Sequence, residues 1–157
     1  MAAEAPGRFA FLFRTDQGRI DRDTWWRGTL PLFAIAVLGT GGWLLLRPFA
    51  EHDLSRQPFI EPMTILAYTY LLVFSFAVIL LGICEYNLSA KRFRTRGLAS
   101  AWAAALPLSL LFGSALLWFI PQSFGVVPDW AGPVAIAAML GVAAWNVVEL
   151  GVRQDRP

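Results

Sequence analysis

Charged residues are absent from four stretches of this chain, and that spacing limits what it can fold into more than any other feature. Gly28–Leu46 (19 residues), Pro62–Cys84 (23), Gly97–Pro128 (32) and Trp130–Val148 (19) contain no Asp, Glu, Lys or Arg. A hydrocarbon core about 30 Å thick is crossed by about 20 mainly apolar helical residues. Backbone polar groups must be paired within the protein there, and the runs lack the two-residue alternation of barrel strands, so each reads as a helix. The third run shortens to about 101–120, because Pro121 and the Gly-Val-Val-Pro segment ending at Pro128 read as a turn. The expectation is an all-α polytopic membrane protein: one integral membrane domain over residues 1–157, folded as a four-transmembrane-helix bundle. Its spans are expected at about 28–46, 63–84, 101–120 and 130–149, with a basic loop over 85–100.

Composition agrees. Hydrophobic residues make up 57% and charged residues 15%, against about 45–50% and about 25% in ordinary soluble domains. Seven Trp, twelve Phe and three Tyr are more aromatic surface than a soluble chain of this size hides. The first 26 residues hold "RFAFLF", but also Arg8, Arg14, Arg19 and Arg22, so they do not read as a cleaved signal and the first span is expected to be an uncleaved anchor. One cysteine, Cys84, excludes an intramolecular disulfide. One histidine, His52, beside Glu51 and Asp53 in a connecting loop, is too poor a donor set for a metal centre, and no cofactor is expected. Cys84 reads as a small apolar filler.

Lys and Arg set the orientation. Five lie before the first span (Arg8, Arg14, Arg19, Arg22, Arg27), four between spans two and three (Lys91, Arg92, Arg94, Arg96) and two after the fourth (Arg153, Arg156). With four spans these groups share one face, leaving Arg47 and Arg56 on the other, so both termini are expected in the cytoplasm.

Two polar stretches flank the spans on that face. In "TDQGRIDRDTWWRG", Asp16-Gln17-Gly18 has turn chemistry and Gly18 suits positive φ. Asp21 is an expected helix N-cap, and Asp23 falls in the first turn, where negative charge suits the helix dipole. Trp25 and Trp26 are expected at headgroup level, with Trp102 as a further interfacial aromatic. The second stretch, "SAKRFRTRG", Ser89 to Gly97, holds Lys91, Arg92, Arg94 and Arg96. Marking the cytoplasmic side and touching lipid phosphate explains most of it.

"GRIDRDTWW" (Gly18–Trp26) and "AKRFRTRG…W" (Ala90–Trp102) together resemble the two hallmark motifs of the domain of unknown function 805 family, small and mostly bacterial inner-membrane proteins. Gly18, Arg19, Ile20, Arg22, Trp25 and Trp26 match the first motif; Lys91, Arg92, Phe93, Arg94, Gly97 and Trp102 match the second. The resemblance covers about twenty residues in motif and the whole chain in layout, and it implies a bacterial inner-membrane location without an established activity. One position departs: Thr95 stands where the second motif has an acid. Any pairing between that acid and the arginine of the first motif must here be made otherwise or not at all.

The two motifs are expected to converge into one interfacial cluster of Arg19, Arg22, Lys91, Arg92, Arg94 and Arg96. Like charges this close repel unless acids or an anion intervene; Asp21, Asp23, Glu85 and Glu149 are the candidate acids, and lipid phosphate the candidate anion. Glu85 and Glu149, at span ends, are expected to snorkel. The Leu38–Gly42 segment and the Ala137/Gly141 pair offer small-residue packing surfaces, within the chain or between copies.

Function classes rank accordingly. A non-enzymatic accessory or interaction component comes first, its partners being anionic membrane lipids and a second membrane protein or another copy. A small transporter or channel acting as an oligomer comes second, since no charge lies well inside a span, where an ion pathway needs one. A lipid-modifying enzyme comes third, because no paired acids or nucleophile–base set is visible. Nucleic-acid binding is last: the basic loop is short and lacks a folded reading element.

Overall fold

A computed structural model describes residues 7–50, 61–120 and 126–154, and all regular structure among them is helical. Helix α1 spans Arg8–Phe13, α2 Arg22–Ala50 and α3 Pro62–Thr95. A 3-10 turn, Ser100–Ala104, leads into α4 (Ala105–Phe119), and α5 (Ala131–Asn146) continues as a π-helical segment, Val147–Val152. Four helical stretches are long and apolar enough to cross a membrane: Arg22–Ala50, Pro62–Thr95, Ser100–Leu117 and Ala131–Val152. That is the number the charge gaps require. His52, Glu51, Asp53, Arg56, Pro121 and Arg156 lie outside the described residues.

The helix ends differ from expectation for identifiable reasons. Helix α2 starts six residues before the uncharged run because Asp21 caps it. The Asp21 Oδ1 accepts the Thr24 N–H at 3.1 Å, and the Asp21 carbonyl accepts the Trp25 N–H at 3.1 Å. Residues 85–95, expected as the first part of a loop, instead continue α3. At 34 residues α3 is about 51 Å long, well beyond the hydrocarbon thickness. Its polar final third stays helical because most of those side chains find partners in other elements. It stops at a Schellman motif: the Leu98 N–H reaches the Phe93 carbonyl (2.9 Å) and the Gly97 N–H the Arg94 carbonyl (3.1 Å). That geometry places Gly97 at φ +71°, a conformation glycine adopts without steric cost.

The chain divides into two compact units, residues 30–82 and residues 1–29 with 83–157. In the first, α2 packs on α3 through its glycines. Gly39 lies against the Phe74 ring and Gly42 against the Tyr70 ring, so a Cβ at either would collide. The Tyr70 hydroxyl donates to the Gly39 carbonyl at 2.7 Å. These two small residues therefore serve packing within the chain, whereas Gly41, and Gly141 of α5, face open space. Leu38, Leu45 and Val73 are among the large apolar side chains left exposed, as a lipid-facing surface requires.

The second unit has an unusual core. Ile20, Trp25, Leu88, Ala90, Phe93, Ala103 and Leu150 form its apolar part. Buried beside them are Glu85, Asn87, Ser89, Lys91, Arg92, Arg96, Asn146 and Glu149.

Candidate functional site

The last third of α3 ties the other parts of this unit together, and helical spacing sorts its side chains. Asn87, Lys91, Arg94 and Thr95 share one face and hold the N-terminal segment. Asn87 Nδ2 donates to the Phe13 carbonyl at 2.7 Å. The Lys91 ammonium donates to the carbonyls of Leu12 (3.0 Å), Thr15 and Asn87, and sits 5.2 Å from the centre of the Phe11 ring. The Leu12, Phe13 and Thr15 carbonyls belong to the C-terminal end of α1 and the turn after it, the end that attracts cations. Arg94 reaches Asp16 twice, at its carbonyl and at Oδ2 (2.8 Å). That guanidinium holds the Asp16 carboxyl below its ordinary range, and hydrogen bonding from Thr24 does the same for Asp21.

Thr95 completes this face. Its Oγ1 accepts the Ile20 N–H at 3.1 Å and directs its own proton to the Ile20 carbonyl (2.9 Å) or the Lys91 carbonyl (3.1 Å). The residue that departs from the motif thus binds the first motif through its backbone, with no charge involved. Gly18, in the turn just before, has φ +104° and lies against Phe11, so both its backbone and the space around it require glycine.

Glu85, Ser89, Arg92 and Arg96 share a second face, toward the start of α2 and the end of α5. Trp25 Nε1 donates to Ser89 Oγ (3.2 Å), Ser89 to Glu85 Oε1 (2.7 Å), and Thr29 Oγ1 to Glu85 Oε2 (3.1 Å). Arg92 donates to the carbonyls of Leu150 (3.0 Å) and Arg153 (3.2 Å). Arg96 donates to the Gln154 carbonyl and pairs with Glu149 at 2.9 Å, both side chains being almost fully buried. Glu149 also accepts from the exposed Arg153 at 2.6 Å.

The π segment makes this possible. Its wider ring, closed by the Arg153 N–H on the Val148 carbonyl at 3.0 Å, directs the Leu150 carbonyl to Arg92 and the Gly151 carbonyl to Trp26 Nε1 (3.0 Å). Gly151 is pressed so closely by both indoles that a Cβ would lie 2.6 Å from Trp26 and 2.9 Å from Trp25.

Several sequence expectations change here. Lys91, Arg92, Arg94 and Arg96 do converge with the first motif, but their partners are carbonyls, Asp16 and Glu149. Of the candidate acids, Asp21 caps α2, Asp23 pairs with its neighbour Arg22 at 3.6 Å on the surface, and Glu85 binds hydroxyls. Glu85 and Glu149 do not snorkel; both are buried and hydrogen-bonded. Trp25 is buried, with Ser89 satisfying its indole N–H within the core, and Trp26 is half-buried. Trp102 stays exposed, edge-on to Trp145. Arg19 and Arg22 are exposed, as are Arg8, Arg14 and Arg27.

Sequence reasoning missed Asp16 as an ion-pair partner, reading it only as a turn former. It also missed Asn146, a buried amide whose two polar atoms find no partner among the described residues. The only signal for Asn146 was a polar residue inside an uncharged run. A shallow recess of about 420 Å3 is lined by Asp21, Arg22, Asp23, Arg92 and Gln154, a mixed-charge lining that favours neither anion nor cation.

These features define the class: among the described residues, regular structure that is all helical, with four helices able to cross a membrane and a polar, ion-paired knot at the end of the second. No family model, curated protein or solved structure matches the chain.

Proposed function

We propose that this is a non-enzymatic accessory or interaction protein of the bacterial inner membrane, with both termini in the cytoplasm, and that it belongs to the domain of unknown function 805 family. The observation that carries this reading is how the two motifs are used. Polar side chains of the second motif bind the first motif through its Ile20 backbone and also hold the N-terminal segment and the end of α5, fixing all three to α3. Such residues build a rigid cytoplasmic end on a set of apolar helices, suited to holding a neighbour in the membrane. Of the expected cluster Arg19 and Arg22 keep the lipid-phosphate role, joined by the equally exposed Arg8, Arg14 and Arg27, and the abundance of these arginines supports the cytoplasmic assignment.

Native mass spectrometry of the protein extracted from its own membrane in mild detergent tests the reading. A stoichiometric second membrane protein is the expected result. A lone monomer carrying only lipid counts against an accessory role.

One observation favours a second reading, a small transporter working as an oligomer. Glu85 is a buried carboxylate whose described partners are hydroxyls and an adjacent indole relay, and acids placed so near the membrane interior mark ion pathways. Flux in proteoliposomes that disappears in Glu85→Gln decides for it.

A further inference from the structure

We infer that α1 is an interfacial foot, lying in the headgroup region of the same bilayer the spans cross and pressing its outer phenyl pair into anionic lipid. This rests on the membrane reading above and adds a lipid-binding element that the four spans do not imply. The helix has two sides. Phe11 and Leu12 pack against the core of the knot. On the other side Phe9 is 64% exposed and meets the half-buried Phe13 at a tilt, with ring centres 5.1 Å apart. Arg8 and Arg14 bracket this pair and are both exposed.

The depth of α1 follows from its bonds to α3. Ser89 of α3 accepts from Trp25, which stands just before the first uncharged run. Asn87 and Lys91, two residues to either side of Ser89, hold the carbonyls of Phe13, Leu12 and Thr15. Two helical residues are about 3 Å of rise. The end of α1 is therefore held at the level of Trp25, where the polar end of the chain meets the apolar run, and not out in the cytoplasm. An exposed phenyl pair at that level meets the boundary between headgroups and acyl chains, and the flanking arginines meet lipid phosphate. Apolar insertion combined with basic flanks is the chemistry of interfacial helices. A protein partner would also cover Phe9, but the charge and the depth match the lipid that surrounds every span.

Site-directed spin labelling tests this. A nitroxide is attached at Phe9→Cys in a Cys84→Ala background, and the protein is reconstituted in vesicles of phosphatidylglycerol and phosphatidylcholine. Labels at Leu45→Cys, an exposed apolar position of α2, and at Gln17→Cys, an exposed polar one, give the lipid and aqueous references. The expected result is an oxygen-to-nickel-chelate accessibility ratio at position 9 well above that at position 17 and on the lipid side of the scale. A ratio equal to that at position 17 overturns the inference. So does a label shielded from both reagents, which assigns the face to a protein neighbour. If position 45 itself gives the aqueous signature, the membrane reading fails first, and the two failures are told apart. Should Phe9→Cys not fold, the same label at Phe13→Cys, one turn along the same face, reports on the same side of α1.

Discussion

Glu149→Gln should destabilise the protein by about 3 kcal/mol, because it leaves the Arg96 guanidinium buried without a counter-ion. Arg96 and Glu149 are 3% and 6% exposed and meet at 2.9 Å. Removing one member of a buried pair costs about 3–5 kcal/mol, most of it the penalty of stranding the other charge. The lower end applies because Arg96 keeps the Gln154 carbonyl and glutamine keeps one acceptor oxygen. Arg153 provides the internal control. It touches the same carboxylate at 2.6 Å, but its side chain is 57% exposed, so Arg153→Gln should cost under about 1 kcal/mol. The double variant Arg96→Met/Glu149→Met removes both charges and should cost less than Glu149→Gln alone, since no buried ion is left unpaired. Reversible unfolding in mixed micelles, followed by far-ultraviolet circular dichroism, measures all three. Equal losses for Glu149→Gln and Arg153→Gln would refute the argument, because the pair would then behave as a solvated surface bridge.

Other parts of the knot make separate predictions. Thr95→Val keeps the shape but leaves the buried Ile20 N–H without its acceptor, and should cost about 1–3 kcal/mol, whereas Thr95→Ser should cost much less; the same unfolding assay ranks them. Asp16 titrates lower in the folded protein than in the unfolded chain because Arg94 donates to it. Its contribution is therefore complete above about pH 4 and is lost as pH falls through the folded value. Melting measured from pH 6 down to pH 3 should show that acid loss in the wild type, reduced in Arg94→Gln. Asn146→Leu removes two buried polar atoms that lack described partners and should raise stability by about 1 kcal/mol; a clear loss would mean that the amide is satisfied by water or by another molecule.

What the sequence made legible, and what it hid, divides along a physical line. Spans are long-range averages of composition, so uncharged runs located all four, and N-cap and positive-φ chemistry at Asp21 and Gly18 could be read because it acts over three or four residues. Which charge meets which is another matter. Arg94 finds Asp16 across 78 positions and Arg96 finds Glu149 across 53, and no local pattern distinguishes these acids from Asp21 or Asp23. Treating each charge as a span terminator also cut α3 after Cys84, eleven residues early. Charge ends a membrane span, but it ends a helix only when the side chains lack partners elsewhere, and here every basic residue from Lys91 to Arg96 has one. The π segment was hidden for the same reason, since its register is set by Arg92, Trp26 and the space beside Gly151 rather than by its own apolar sequence. A basic cluster next to a span thus carries two signals, one for topology and one for tertiary structure. In this chain the division falls between the exposed arginines around α1 and the start of α2, which face outward, and the cations of α3, which are spent inside the fold.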